Sequence, residues 1–145
     1  MKLSKNINAY EMWVSHDHPD IIEAGRKLRP PVGLPEWAYP RLELLCFLCL
    51  QPIRDYFHRP VVILSGYRDL ELNQAVNGYE KSDHMEAIAG DIFVESATQQ
   101  EVYNWAQDNL PYRQLIFYPN HNFNHISINI PNKKPYKHES WVTRR

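Results

Sequence analysis

Two histidines and an aspartate could act together in this chain. His84 and Asp91 lie seven residues apart in SDHMEAIAGD, and His125 opens the segment HISI. Imidazole and carboxylate are the donors of catalytic zinc, which takes three protein ligands and leaves one position for water. A zinc ion so held would lower the pKa of its water to about 7. The chain has seven histidines, and with an ordinary pKa of about 6.5 they are mostly neutral near pH 7 and free to bind metal. Taken alone, a histidine and an aspartate at such a spacing are more often surface or hydrogen-bonding residues. Arg68 adds a permanently charged fork that can clamp a carboxylate with two parallel hydrogen bonds.

For the three candidates to meet, strands must carry them. Val61–Leu64, an apolar β-branched run ending in Ser65-Gly66, reads as a buried strand. IAGDIFV reads as a second strand starting near Ala87, with Asp91 on it and His84 just before it. RQLIFYP and NHISINI read as two more strands around the loop PNHNF, and His125 opens the last. Pairing of those strands brings the three side chains together. The stretch between Ser65 and the second strand reads as a long loop without a helix, turning at Asn77-Gly78.

Upstream, SHDHPDIIEAGRKL predicts a short helix with Pro19 at its first position and Asp20 at the positive end of its dipole. His16 and His18 read as polar residues of the loop leading into it. Arg29–Pro40 carries four prolines and reads as an ordered, non-helical connection pinned by Trp37 and Tyr39. Leu42, Leu45, Cys46, Cys49 and Ile53 follow helical spacing and predict the main core helix, with Pro52 bending it or marking a shift between two segments. Cys46 and Cys49 read as buried core residues of that helix rather than a metal half-site. SATQQEVYNWAQDNL predicts a further helix capped by Ser96. The basic segment 131–145 reads as a solvated tail that packs Trp141 locally. The sum is an α+β fold: one domain over 1–145, with a small, mainly antiparallel sheet and helices packed on it.

Composition excludes several classes. Hydrophobic residues are 43% and charged residues 23%, the balance of a globular domain. A net charge of -1 gives no basic field for nucleic acid. The longest apolar run, Leu44–Leu50, is too short to cross a membrane. MKLSKNINAYEMWV lacks the apolar core of a secretory signal. The expectation is synthesis in the cytoplasm, with action on a target outside after release by another factor, or from within a virion.

The motifs taken jointly resemble the zinc D-Ala-D-Ala carboxypeptidases, with their phage endolysin and phage-tail relatives. Those proteins carry S-G-Y-R, then L-N-x-x-V-G-G, then S-x-H-x-x-G-x-A-x-D-I, and an aromatic before H-V-S. Here stand Ser65-Gly66-Tyr67-Arg68, Leu72-Asn73 through Val76-Asn77-Gly78, Ser82-Asp83-His84 through Asp91-Ile92, and Phe123-Asn124-His125-Ile126-Ser127. The resemblance covers roughly residues 9 to 130. It implies the D-Ala-D-Ala-peptidase, hedgehog-like fold and a Zn2+ cofactor held by His84, Asp91 and His125. It implies that Arg68 binds a substrate carbonyl or carboxylate, or stabilises the oxyanion. Tyr67 beside it would contact substrate, and Ser82 would hold substrate or a ligand in place. The implied substrate is the stem peptide of bacterial peptidoglycan, and phage virion proteins are possible partners.

Three positions depart from that pattern. Ala87 stands where the relatives have glycine, and Asn77 replaces another glycine. Asn122 occupies the place, three residues before the last histidine, where many relatives carry the carboxylate that serves as general base. No carboxylate occurs from Leu110 to Lys137. His121 is then the nominee for base or oxyanion donor, with Glu86 as a weaker one; a missing base costs roughly 10²–10⁴-fold. The expectation is a zinc peptidase of peptidoglycan, phage-derived, acting as an endolysin or virion component. The alternative is an impaired member of the fold that serves as a tail, structural or wall-binding module.

Overall fold

The computed structural model describes residues 1–145. A short hairpin, β1 (Lys2–Ser4) and β2 (Ile7–Asn8), opens the chain, and no periodicity in the sequence announces it. It leads through a single 3-10 turn to Trp13, which is fully buried. Trp13 donates its indole N–H to the Ile22 carbonyl at 2.8 Å, tying this arm to α1 (Pro19–Leu28). Pro19 takes the first helical position, where a missing N–H costs nothing.

The core helix is built in three joined pieces. α2 (Ala38–Leu45) starts inside the proline-rich stretch, contrary to the expected non-helical link, and Pro40 falls in its first turn. Those first N–H groups have no partner within the helix, so proline is accepted there. A wide π turn follows over Cys46–Leu50, and α3 (Gln51–Phe57) completes the rod. Pro52 is the cause of the widening: it cannot donate to the preceding turn, and the π geometry takes up its ring. Cys46 and Cys49 are buried and unpaired, as expected, and burial pushes both thiols up to about 12.

The sheet runs β3 (Val61–Ser65), β4 (Ala89–Val94), β6 (Phe123–Ile128), β5 (Tyr112–Tyr118) and β7 (Glu139–Val142) in spatial order. The first three contacts are antiparallel, and β7 joins β5 in parallel. The expected α+β fold with a mainly antiparallel sheet is therefore the observed one, with a mixed edge. One face of the sheet packs on the core helix and on α5 (Gln99–Asn109). No helix is long and apolar enough to cross a membrane.

Four local expectations are corrected. The long loop contains a helix, α4 (Leu70–Ala75), capped by the Asp69 carboxylate on the Leu72 N–H at 2.8 Å, and a 3-10 turn, Asp83–Glu86. The second strand starts at Ala89 because Ala87 ends that turn in the left-handed region, at φ 58°. α5 is capped by Thr98 rather than Ser96, which is itself left-handed at φ 58° and turns the chain. Segment 131–145 is no free tail, since it supplies β7.

Candidate metal centre

Strand register creates the site. Asp91 on β4 pairs directly with His125 on β6, so both side chains rise from the same face. His84 arrives from the 3-10 turn. Its Nε2 lies 3.1 Å from Asp91 Oδ1, and His125 Nδ1 lies 2.9 Å from the same oxygen. The three donor atoms fall within 4.8 Å of one another. Ser82 caps the turn by accepting from the His84 N–H at 3.2 Å, so its hydroxyl holds a candidate ligand in place.

The bed of His84 is the Ser65–Arg68 segment. His84 Nδ1 donates to the Gly66 carbonyl at 2.7 Å, and the Arg68 N–H donates to the His84 carbonyl at 3.1 Å. On its other side, Gly66 lies against the Met12 backbone so closely that a Cβ would collide with it. Tyr67 N–H donates to the Met12 carbonyl at 2.8 Å. A glycine is therefore required for close approach rather than for its φ.

With Nδ1 committed as donor, Nε2 of His84 presents a lone pair to a carboxylate oxygen. Two acceptors at 3.1 Å need a proton or a cation between them. Burial pushes the His84 imidazole below its ordinary value, with the Asp91 charge opposing, which disfavours the proton. For Asp91, burial would raise the pKa, but positive charge shared with the adjoining imidazoles, His84 first and then His125, outweighs it and holds the carboxyl below the usual range; with His84 neutral, that charge has to come from a cation. Tetrahedral zinc at about 2.0–2.2 Å from its ligands sets donor atoms roughly 3.3–3.6 Å apart. The two distances to Asp91 Oδ1 are shorter than that by a few tenths of an ångström, and all three donors stay within 4.8 Å. The residues fit zinc in number, type, spacing and tautomer.

Arg68 is aimed at this centre. It donates from Nη2 to Asp91 Oδ2 at 3.4 Å, from Nε to Ser65 Oγ at 3.0 Å and from Nη1 to Asn73 Oδ1 at 3.3 Å. Asn73 is fixed in turn by donating to the Tyr79 carbonyl at 3.0 Å. A Cβ on Gly78 would stand 2.9 Å from Nη1 of Arg68, so this turn too must stay small.

Other nominated residues do not join them. Tyr67 is buried between Trp13 and Trp37, with ring centroids 5.9 and 5.7 Å away, and is not part of the cleft wall. In an extended segment neighbouring side chains point opposite ways, so Arg68 facing the metal side sends Tyr67 to the core. His121 sits exposed in the turn between β5 and β6, outside the cleft wall. Asn122 follows in the left-handed region at φ 57°, a conformation asparagine tolerates well. Glu86 is ion-paired with Lys133 and is absent from the cleft wall. His16 and His18 lie in the loop before α1, apart from the cluster.

The cleft around the centre encloses about 680 Å³, and sequence reasoning missed much of its wall. Gln114, Ile116 and Tyr118 line it from β5, as the two-residue period of RQLIFY could have indicated. Asp83, the other carboxylate in the wall besides Asp91, is taken up by Lys133 at 2.9 Å and Arg113 at 3.5 Å. Lys137, Trp141 and Arg145 line the far side.

The profile of the family described as Peptidase M15 matches residues 34–127. The matched span contains all three donors and Arg68. No curated protein matches the chain.

Proposed function

The chain belongs to the Peptidase M15 family, whose members are zinc-dependent peptidases, and on that premise we propose that it hydrolyses a peptide bond in the stem of bacterial peptidoglycan. The observation that supports this most is the aim of the His84 lone pair at Asp91 Oδ1, 3.1 Å away, with His125 on the same oxygen. His84, Asp91 and His125 would hold the ion. When bound, zinc supplies Lewis-acid activation of water and of the scissile carbonyl.

The chain's own residues supply orientation. Arg68 keeps donor capacity beyond its three internal hydrogen bonds, enough to hold a substrate carbonyl or a terminal carboxylate. Its rigid setting in Ser65, Asn73 and Asp91 fixes where that oxygen lies, and a pre-positioned charge stabilises a developing oxyanion without reorganisation. Burial of His84 against the Gly66 carbonyl keeps one tautomer and one lone pair in play. Release from a phage-infected cell, or carriage in a virion, would bring the protein to the wall.

A second reading has its own observation. Neither carboxylate of the cleft is free to accept a proton, because Asp83 is neutralised and Asp91 belongs to the donor set. A wall-binding or tail module on the same scaffold would need no base. The discriminating experiment is release of new amino groups from purified peptidoglycan with zinc added, for the wild type and for His84→Ala. Amine release by the wild type alone supports the peptidase. Zinc retention without release across several wall chemistries supports the module.

A further inference from the structure

The last strand lies outside the matched span 34–127, yet it completes the cleft. Register makes this plain. Asp91 pairs with His125, His125 with Ile116, and Ile116 with Trp141. One straight rung therefore crosses the sheet from the metal donors to an indole. Adjacent strands are about 4.8 Å apart, so Trp141 stands roughly 10 Å from His125. Ile116, only 7% exposed, floors the space between them, while Trp141 is 41% exposed. An extended peptide advances about 3.4 Å per residue, so about three residues reach from one end of the rung to the other.

The charge at the two ends differs. Near the metal donors, Arg68 has Asp91 as its partner, and Arg113 and Lys133 share Asp83. Beyond β5, Arg145 lines the cleft near Tyr118, and no aspartate or glutamate side chain pairs with it. Lys137 has only a half-exposed contact with Glu139 at 3.7 Å, a type of pair worth little. A guanidinium without an acidic side-chain partner and an exposed indole in one cleft wall suit a ligand with an aliphatic stem and a carboxylate at its tip.

We infer that Trp141 and Arg145 form a remote subsite for a carboxylate-bearing residue of the substrate, about three residues from the bond cleaved. This rests on the peptidase reading above for its substrate and extends it to a segment beyond the family match. The indole supports the aliphatic part, and the guanidinium binds the free acid.

The test is calorimetric titration of chelator-treated protein, which binds without turnover, using three probes. They are a synthetic stem pentapeptide with free side carboxylates, its side-amidated form, and the dipeptide D-Ala-D-Ala. Wild type, Trp141→Ala and Arg145→Gln are compared, with circular dichroism confirming the fold and zinc-loaded cleavage run in parallel. Arg145→Gln should erase an acid-over-amide preference of about tenfold. Trp141→Ala should lower the ratio of pentapeptide to dipeptide affinity about as much. An acid preference that survives Arg145→Gln, or a wild type that binds acid and amide alike or binds no pentapeptide, overturns the subsite. If the binding pattern holds while zinc-loaded protein cleaves nothing, the subsite stands and the peptidase reading falls.

Discussion

Asp83 and Asp91 are both 9% exposed, stand eight residues apart and line the same cleft, yet the chain treats them differently. Asp83 meets cations built into the sequence: Lys133 at 2.9 Å and Arg113 at 3.5 Å. Asp91 meets two imidazoles, at 3.1 and 2.9 Å, on one oxygen, with Arg68 farther off at 3.4 Å on the other. A buried carboxylate must be compensated. The first is compensated internally and fastens the turn that carries His84. The second has Arg68 on one oxygen only, and its other oxygen, with the two imidazoles, is set to meet an ion from outside. Folding is served at one position and function at its near neighbour, by the same side chain in different company.

The largest expected effect breaks the second arrangement. Asp91→Asn should lower zinc affinity by at least about 100-fold, read by competition with a chromogenic chelator. Added zinc should raise the stability of the wild type by about 4 kcal/mol at a thousand times its Kd, and the variant by about 1.4 kcal/mol or less at the same concentration. Equal stabilisation of both proteins would remove Asp91 from the ligand set.

Next comes the first arrangement. Asp83→Asn leaves Arg113 and Lys133 without their shared partner and should cost about 3–5 kcal/mol in urea unfolding. Burial opposes ionisation of Asp83, but Lys133 by hydrogen bond and charge, helped by Ser127 and Arg113, holds its carboxyl below the ordinary value. A depressed folded pKa contributes stability that is present above the unfolded value of about 3.9 and lost as pH falls through the folded one. The wild type should therefore lose stability on acidification below about pH 4 in a way that Asp83→Asn largely lacks. Identical acid limbs would mean that Asp83 is not the fastening group.

The smallest effect sharpens the comparison at the residue that follows both Asp83 and His84. Ala87 holds φ 58°, which costs an alanine roughly 1–2 kcal/mol relative to glycine. Ala87→Gly should raise thermal stability by roughly 1 kcal/mol without changing zinc affinity. A loss of stability would show that the buried methyl contributes more than the strain removes.

That His84, Asp91, His125 and Arg68 meet was legible in the sequence, because residue chemistry and motif spacing mark them together. The strands that carry them were legible from β-branched runs, and the divided core helix from its period and Pro52. What escaped depended on direction or distant partners. That Tyr67 turns inward follows from the path of the backbone at Gly66, set by contact with Met12. That Asp83 is neutralised depends on Lys133 and Arg113, which no local pattern links to it. α4 was hidden by short length, although Asp69 three residues before Leu72 is a capping signal. β7 was masked by the proline- and lysine-rich approach to it, and only its pairing with β5 makes it a strand.

The seat of His84 on Gly66, and of Gly66 on Met12, has a consequence in time. The donors come from one turn and two strands, and the bed beneath them rests on an arm more than fifty residues before it, so each piece waits for long-range closure. Contacts of such sequence separation form slowly, after helices and hairpins. Zinc should then be captured by a chain already near its native topology, not serve as the seed that nucleates it. Refolding rates should be insensitive to zinc, while unfolding slows in its presence. The ion acts as a latch on a finished structure.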